Sequence, residues 1–114
     1  MSPETILPPS HSLARTMLNL RFAARTPKAF AQFQADLNRA IDESFAAAMT
    51  TRQWNERTLH TAAPATRGCI RFDAGAVYAE VWISLPALPA KLVIVAETRR
   101  ILAKASGGPV STVK

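Results

Sequence analysis

The hydrophobic positions between residues 27 and 49 follow the spacing of a helix. Apolar residues recur there three or four positions apart and would form one face of a helix: Phe30, Phe33, Leu37, Ile41, Phe45 and Ala48. Thr26 is a suitable N-cap, and Pro27 suits the first helical position, where its missing N–H has no cost. The pattern predicts one long amphipathic helix from Pro27 to about Met49.

From Arg67 onward the hydrophobic positions alternate, which is typical of strands. Residues 70–72 and 77–85 predict two strands joined by a turn at Asp73–Ala76. A loop of two or four residues keeps the aliphatic side chains on one face, whereas a three-residue loop would set Arg71 against Val77. After a connection over 86–89, the apolar run in 91–96 predicts a third strand buried on both faces, and 97–105 predicts a short helix.

Two other segments are less regular. Residues 16–24 alternate like a strand but also fit one face of a helix, and we favour the strand because Thr26-Pro27 then separates it from the helix. Residues 50–66 are polar and irregular around Trp54, which predicts a long loop that is either functional or hides a short element.

Together these elements predict an α+β fold. One antiparallel sheet, a three-stranded meander plus the N-terminal strand, would pack on the long amphipathic helix, with a short C-terminal helix after it. We expect a single domain over residues 13–105. The Pro-rich residues 1–12 would form an extended arm, and the Gly/Pro/Ser-rich residues 106–114 a flexible tail.

Composition narrows the class of protein. The chain has 114 residues, of which 48% are hydrophobic and 19% charged, so it can bury a core. No apolar stretch approaches the roughly 20 residues of a membrane span. The N-terminus also lacks the pattern of a signal peptide, which predicts a bacterial cytoplasmic or virion location.

Fourteen basic residues against eight acidic ones give a net charge of +6, which favours anionic partners or serves solubility. The excess lies mainly at the two ends of the chain. Residues 91–114 contain one acidic residue, Glu97, and these basic ones: Lys91, Arg99, Arg100, Lys104 and Lys114. We take Arg99, Arg100 and Lys104 as candidate contacts to a partner or to nucleic acid.

Residues that would carry enzyme chemistry are sparse. His11 and His60 have no matched spacing to Cys69 or to carboxylates, and the glycines do not form a phosphate-binding loop. Cys69 lies inside a predicted strand, where a buried apolar role is usual. The sequence therefore predicts no metal or cofactor and favours a non-enzymatic protein over an enzyme.

One group of residues on the predicted meander could contact a partner. Pairing of the two hairpin strands brings Arg71 beside Tyr78, and Trp82 continues along the same face. If that face is open, its aromatic and arginine side chains could anchor a protein or stack on bases. If the N-terminal arm or the 50–66 loop covers it, Trp82 belongs to the core.

The element order also resembles that of a known family. A leading strand (LNLRF), a helical stretch, and then GCIRF, VYAEVWI and KLVIVAETRRIL in a meander resemble RelE/ParE-type toxins across residues 16–102. Those small basic bacterial proteins act on translating mRNA or on gyrase. The resemblance implies that Arg71, Arg99 and Arg100 fall near basic positions of the sheet.

Our leading hypothesis is a non-enzymatic subunit of a larger assembly, such as the head, neck or tail of a bacteriophage. It would contact copies of itself or neighbouring proteins, with Ile6 and Leu7 as apolar anchors of the N-terminal arm. The 21 alanines, and ten arginines against four lysines, suggest a GC-rich bacterial or phage genome. The alternative hypothesis is a small basic module that acts on nucleic acid, either a toxin of the RelE/ParE type or a regulator.

Overall fold

Six strands form one antiparallel sheet with two α-helices on one of its faces, in a computed structural model that describes residues 18–113. The strands are β1 (Leu18–Arg25), β2 (Thr51–Asn55), β3 (Thr58–Ala63), β4 (Thr66–Asp73), β5 (Ala76–Ile83) and β6 (Val110–Val113). The helices are α1 (Phe30–Asp42) and α2 (Lys91–Ser106), with short 3₁₀ segments at Ala47–Met49 and Leu85–Ala90. The strand order is β2-β3-β4-β5-β1-β6, so the α+β class is confirmed.

The N-terminal strand and the central hairpin form as their alternation predicts. β1 pairs antiparallel with β5 along its whole length, from Leu18 opposite Ile83 to Arg25 opposite Ala76. In the hairpin, Asp73 pairs with Ala76 and Phe72 with Val77, so the connection is the short one that keeps the aliphatic residues on one face. Gly75 adopts a positive φ of 88°, which this tight turn requires.

The core lies between the helices and one face of the sheet. Phe33, Leu37 and Ile41 of α1 are buried against this face, and the ring of Phe33 lies 5.3 Å from that of Phe72. Leu102 and Ala105 of α2 complete the same cluster. We refer to the opposite side of the sheet as the outer face.

The first helix is shorter than its hydrophobic pattern indicates. It begins at Phe30, because Thr26 is held by the sheet: its N–H donates to Gly75 O (3.0 Å) and its Oγ1 accepts from the N–H of Lys28 (3.1 Å). It ends at Asp42, after which the chain turns through tighter bonds such as that from Ser44 N–H to Ile41 O. The prediction of a helix to Met49 is therefore wrong.

The segment 50–66 contains a hairpin, so the hidden element that its sequence left open as one alternative is present. β2 and β3 pair from Thr51 opposite Ala62 to Asn55 opposite Thr58, and β3 continues the sheet beside β4. Trp54 packs edge-on against Phe30, with ring centres 5.7 Å apart, and its indole N–H donates to Asn38 Oδ1. β2, β3, β4 and β5 thus form a four-stranded meander, which contains two of the three meander strands that the sequence predicts.

The apolar run at 91–96 is helical rather than a third meander strand. The place beside β5 that this strand would have taken is filled by β1. Ile94, Ile101 and Leu102 follow a helical spacing that continues the run, so α2 begins at Lys91 and is longer than α1. The predicted short helix at 97–105 is only its second half.

The C-terminal residues belong to the sheet, contrary to the predicted flexible tail over 106–114. α2 ends at Ser106, and Gly107 follows in the left-handed conformation (φ 83°) that commonly stops a helix. β6 then pairs with β1, from Val110 opposite Ala24 to Val113 opposite Arg21. The predicted N-terminal arm over 1–12, with its anchors Ile6 and Leu7, lies outside the described residues.

Candidate functional sites: the outer sheet face and an apolar cavity

The outer face carries the pair of residues that the sequence places together. Arg71 lies directly opposite Tyr78 across β4 and β5, and its guanidinium carbon lies 5.2 Å from the centre of the tyrosine ring. Both side chains are exposed, Tyr78 to 44%. The guanidinium therefore already covers one side of the only exposed aromatic ring among the described residues of this face.

The outer face is also basic. Strand alternation places on it four exposed arginines, namely Arg21, Arg25, Arg67 and Arg71. Its acidic residues are Asp73 and Glu80, and the Glu80 carboxylate accepts a bond of 3.1 Å from Arg21. The arginines thus leave a positive excess that would attract an anionic surface.

Trp82 differs from its neighbours on this face. It is only 6% exposed, although strand alternation places it on the outer face between Arg67 and Asn19. Its ring therefore contributes little accessible aromatic surface for stacking or for a partner.

Cys69 and His60 pair across β3 and β4 but lack the properties of a reactive site. Burial and the nearby Glu80 charge raise the pKa of the Cys69 thiol to about 11, so it is protonated at neutral pH. Burial lowers the pKa of His60, and its Nδ1 has no hydrogen-bond partner among the described residues. A protonated thiol beside a neutral imidazole is poorly suited to nucleophilic catalysis.

The basic candidates near the C-terminus are engaged within the chain. Arg99 donates to Val110 O (2.9 Å) and to the Thr112 hydroxyl, so it fastens β6 to α2. Arg100 holds Glu97 through two bonds, of 2.9 and 2.6 Å. Lys104 donates to Glu43 at 3.1 Å.

Neither a protein-family model nor a curated protein matches this chain significantly. Within residues 18–113, no cluster of three or more His, Cys, Asp and Glu side chains has the arrangement of a metal site. No helix in that range has the length and apolar character needed to cross a membrane.

A cavity of about 330 Å³ opens between the helices and the sheet, beyond the end of α1. Its walls come from the segment after α1, from β3, β4 and β5, and from the 3₁₀ segment and α2. Aliphatic side chains form most of its surface, among them Ile41, Ile70, Val81, Ile94 and Ile101. Such a volume with predominantly apolar walls is typical of ligand-binding pockets.

The polar groups of the cavity wall are largely satisfied. Thr50 and Thr98 hydroxyls donate to main-chain carbonyls one turn earlier, each at 2.8 Å. The bonds from Arg100 keep the pKa of Glu97 below its usual range, with a smaller contribution from the Ser44 hydroxyl, so this carboxylate stays ionised and paired. These three side chains therefore offer little free hydrogen-bonding capacity to water inside the cavity.

Gly68 helps to keep the cavity open. It lies directly opposite Thr61 on the wall formed by β3 and β4. A Cβ at position 68 would overlap Thr61 Oγ1, so only glycine leaves room for this hydroxyl without a shift of Thr61.

Five large apolar side chains remain exposed on the two segments that border the cavity. They are Phe45, Met49, Leu85, Leu92 and Val93, exposed to between 52% and 80%, and we call them the apolar rim. Phe45 and Met49 also line the cavity, as do Ala87, Ala90 and Ile94 from the second segment.

The hydrophobic pattern did not reveal the cavity or the rim, because it placed Phe45 in a helix and residues 91–96 in a buried strand. One signal could have revealed the rim. In a helix, the consecutive apolar residues of 92–95 cannot all face one side, so some must be exposed.

Proposed function

We propose that this protein is a non-enzymatic subunit of a larger assembly and that it associates with copies of itself through the apolar rim. The observation that carries the proposal is the exposure of Phe45, Met49 and Leu92 on the two segments that border the cavity, since exposed apolar patches mark interaction sites in soluble proteins. A bacteriophage virion is the assembly we favour, with the protein found there or in the bacterial cytoplasm.

A second copy can bind at the rim in spite of the net positive charge of the chain. Two chains of net charge +6 repel each other, so self-association requires a contact that does not bring basic residues together. No rim residue is charged, whereas the outer face has an excess of arginine. Beside the rim, Asp42 pairs with Arg52 and Glu43 with Lys104, so these charges are balanced within each copy and a two-fold pairing of the rims meets little repulsion.

The expected strength of this contact is moderate. Full burial of one large apolar side chain contributes about 1.5–3 kcal/mol. The loss of freedom on association costs about 4–15 kcal/mol. Burying the five rim residues of both copies therefore offsets this cost and permits a dimer at roughly micromolar concentrations.

Replacing Phe45 by glutamate should abolish the association, because it places a charge in the apolar contact. Light scattering coupled to size-exclusion chromatography would measure the mass of the full chain over a range of concentrations. The wild type should be a dimer or larger, and Phe45→Glu a monomer. Tyr78→Glu, which adds the same charge to the outer face, is the matched control and should remain associated. A wild type that is monomeric at every concentration would contradict the proposal. Equal dissociation of Phe45→Glu and Tyr78→Glu would also contradict it.

The arginines of the outer face favour a second candidate function, a small basic module that binds nucleic acid. Gel shifts with single-stranded RNA and duplex DNA would test it. Binding at low salt should weaken steeply as salt rises, because phosphate contacts release counterions. Arg71→Ala should weaken binding, and it is a better probe than Arg99→Ala, since Arg99 also fastens β6. Absence of a shift at about 50 mM salt would exclude this function.

A further inference from the structure

We infer that the cavity is a binding site for a neutral, largely apolar small molecule of about the bulk of two rings. This inference does not depend on self-association, because it rests on the walls of the cavity and not on the rim. Three properties of the cavity lead to it: its volume, the chemistry of its walls and its opening.

The volume sets the size of the ligand. An apolar cavity of about 150 Å³ accepts one benzene ring. A cavity of about 330 Å³ is therefore large enough for a bicyclic aromatic compound with a further substituent, or for an aliphatic compound of similar bulk. It also falls within the size range of natural ligand pockets, which begins near 300 Å³.

The chemistry of the walls requires a ligand without net charge. Glu97 is the acidic residue that α2 contributes to the cavity wall. Its carboxylate is already paired with Arg100, so it offers no free charge to a cationic ligand. Glu80 and Arg67 also border the cavity, but strand alternation directs their side chains to the outer face. An ionised ligand would lose its hydration without a compensating partner.

The cavity also offers a small polar contact. Thr61 and Thr66 lie on its sheet wall and are half-buried. No hydrogen bond from either hydroxyl is made to the described residues, so both are free to bond a ligand. One N–H or O–H group on an otherwise apolar molecule would match this wall.

The opening lies at the rim, where Phe45 and Met49 are both exposed and in contact with the cavity. A ligand can therefore enter between the segment after α1 and the 3₁₀ segment at 85–90. If copies associate through the rim, the second copy would cover this opening and enclose the ligand.

N-Phenyl-1-naphthylamine is a suitable probe, because it is neutral, carries one N–H donor and becomes fluorescent in apolar surroundings. Titration of the full chain should give saturable binding with one site per chain. The thermal unfolding temperature should rise with probe concentration, because the probe binds only the folded protein. A linear, non-saturating signal without a thermal shift would overturn the inference.

Ala63→Phe and Ala62→Phe form a matched pair of variants. Ala63 lines the cavity, and Ala62 is its neighbour on β3 with the side chain on the outer face. Filling the cavity with the ring at position 63 should weaken probe binding at least tenfold, whereas the ring at 62 should leave it unchanged. If Ala63→Phe does not fold, Thr98→Phe on α2 fills the cavity from the other side, with exposed Ala96→Phe as its control. Equal effects within a pair would overturn the inference.

The charged analogue 1-anilinonaphthalene-8-sulfonate tests the preference for a neutral ligand, since it differs from the probe by one sulfonate. Binding of this anion at the cavity should be at least tenfold weaker than that of the neutral probe, and any binding elsewhere on the chain should be insensitive to Ala63→Phe. Binding of the anion that is equally tight and equally lost in Ala63→Phe would contradict a neutral site. A chain that binds the neutral probe but remains monomeric contradicts only the proposed self-association, and an associated chain that does not bind it contradicts only this inference.

Discussion

Replacing Phe33 by alanine should lower the free energy of unfolding by about 3–5 kcal/mol, the usual cost of truncating a buried phenylalanine. Phe33 is fully buried, and its ring packs against Phe72 at 5.3 Å, where α1 meets the hairpin of β4 and β5. Removal of the ring leaves a cavity between α1 and this hairpin, because the two elements cannot close together to fill it. Denaturant unfolding followed by circular dichroism would measure the change.

Phe45→Ala is the informative control for this experiment. The sequence places both phenylalanines on one helical stripe, but Phe45 is 69% exposed because α1 ends before it. Its truncation should change the stability of the monomer by no more than about 0.5 kcal/mol. Comparable losses for Phe33→Ala and Phe45→Ala would mean that the helix continues as the sequence pattern indicates and would contradict the described end of α1.

Deleting residues 110–114 should also destabilise the protein strongly, by about 2–4 kcal/mol if each lost hydrogen bond contributes about 1 kcal/mol. The deletion removes all four residue pairs between β6 and β1 and leaves β1 as an edge strand. It also removes both acceptors of Arg99, at Val110 and Thr112, so the guanidinium loses its partners.

Deletion of Lys114 alone is the control, because β6 ends at Val113 and stays complete. This shorter truncation should leave the denaturation midpoint unchanged. If the longer truncation were equally harmless, residues 110–113 would be dispensable, as expected for the flexible tail that the sequence predicts, and β6 would contribute nothing to the fold.

Local patterns predicted the elements whose partners lie nearby in the sequence. The hairpin of β4 and β5 follows from strict alternation on both sides of Asp73–Ala76, which fixes the turn and the register together. Arg71 beside Tyr78 follows from that register, so this part of the candidate outer face was predictable. β1 was also predicted, although its own pattern left a helix open.

The errors occur where a segment's conformation depends on a distant one. The run Leu92-Val93-Ile94-Val95 suits a buried strand as well as a helix, and its pattern alone cannot distinguish them. β1 excludes the strand conformation, because it occupies the position beside β5 that this run would need as a strand. Residues 50–66 contain few large apolar side chains, yet they form β2 and β3 because β4 offers an edge with which to pair.

The sequence by itself determined the α+β class, the central hairpin and the apolar face of α1, because these depend on local periodicity and composition. Tertiary structure alone decided that β6 joins the sheet, that α2 replaces a strand and that Arg99 bonds to β6. It also decided the two features on which the proposals rest. The cavity and the apolar rim arise where α1 stops short of Phe45 and where α2 leaves Leu92 exposed, and both outcomes depend on contacts between segments far apart in the chain.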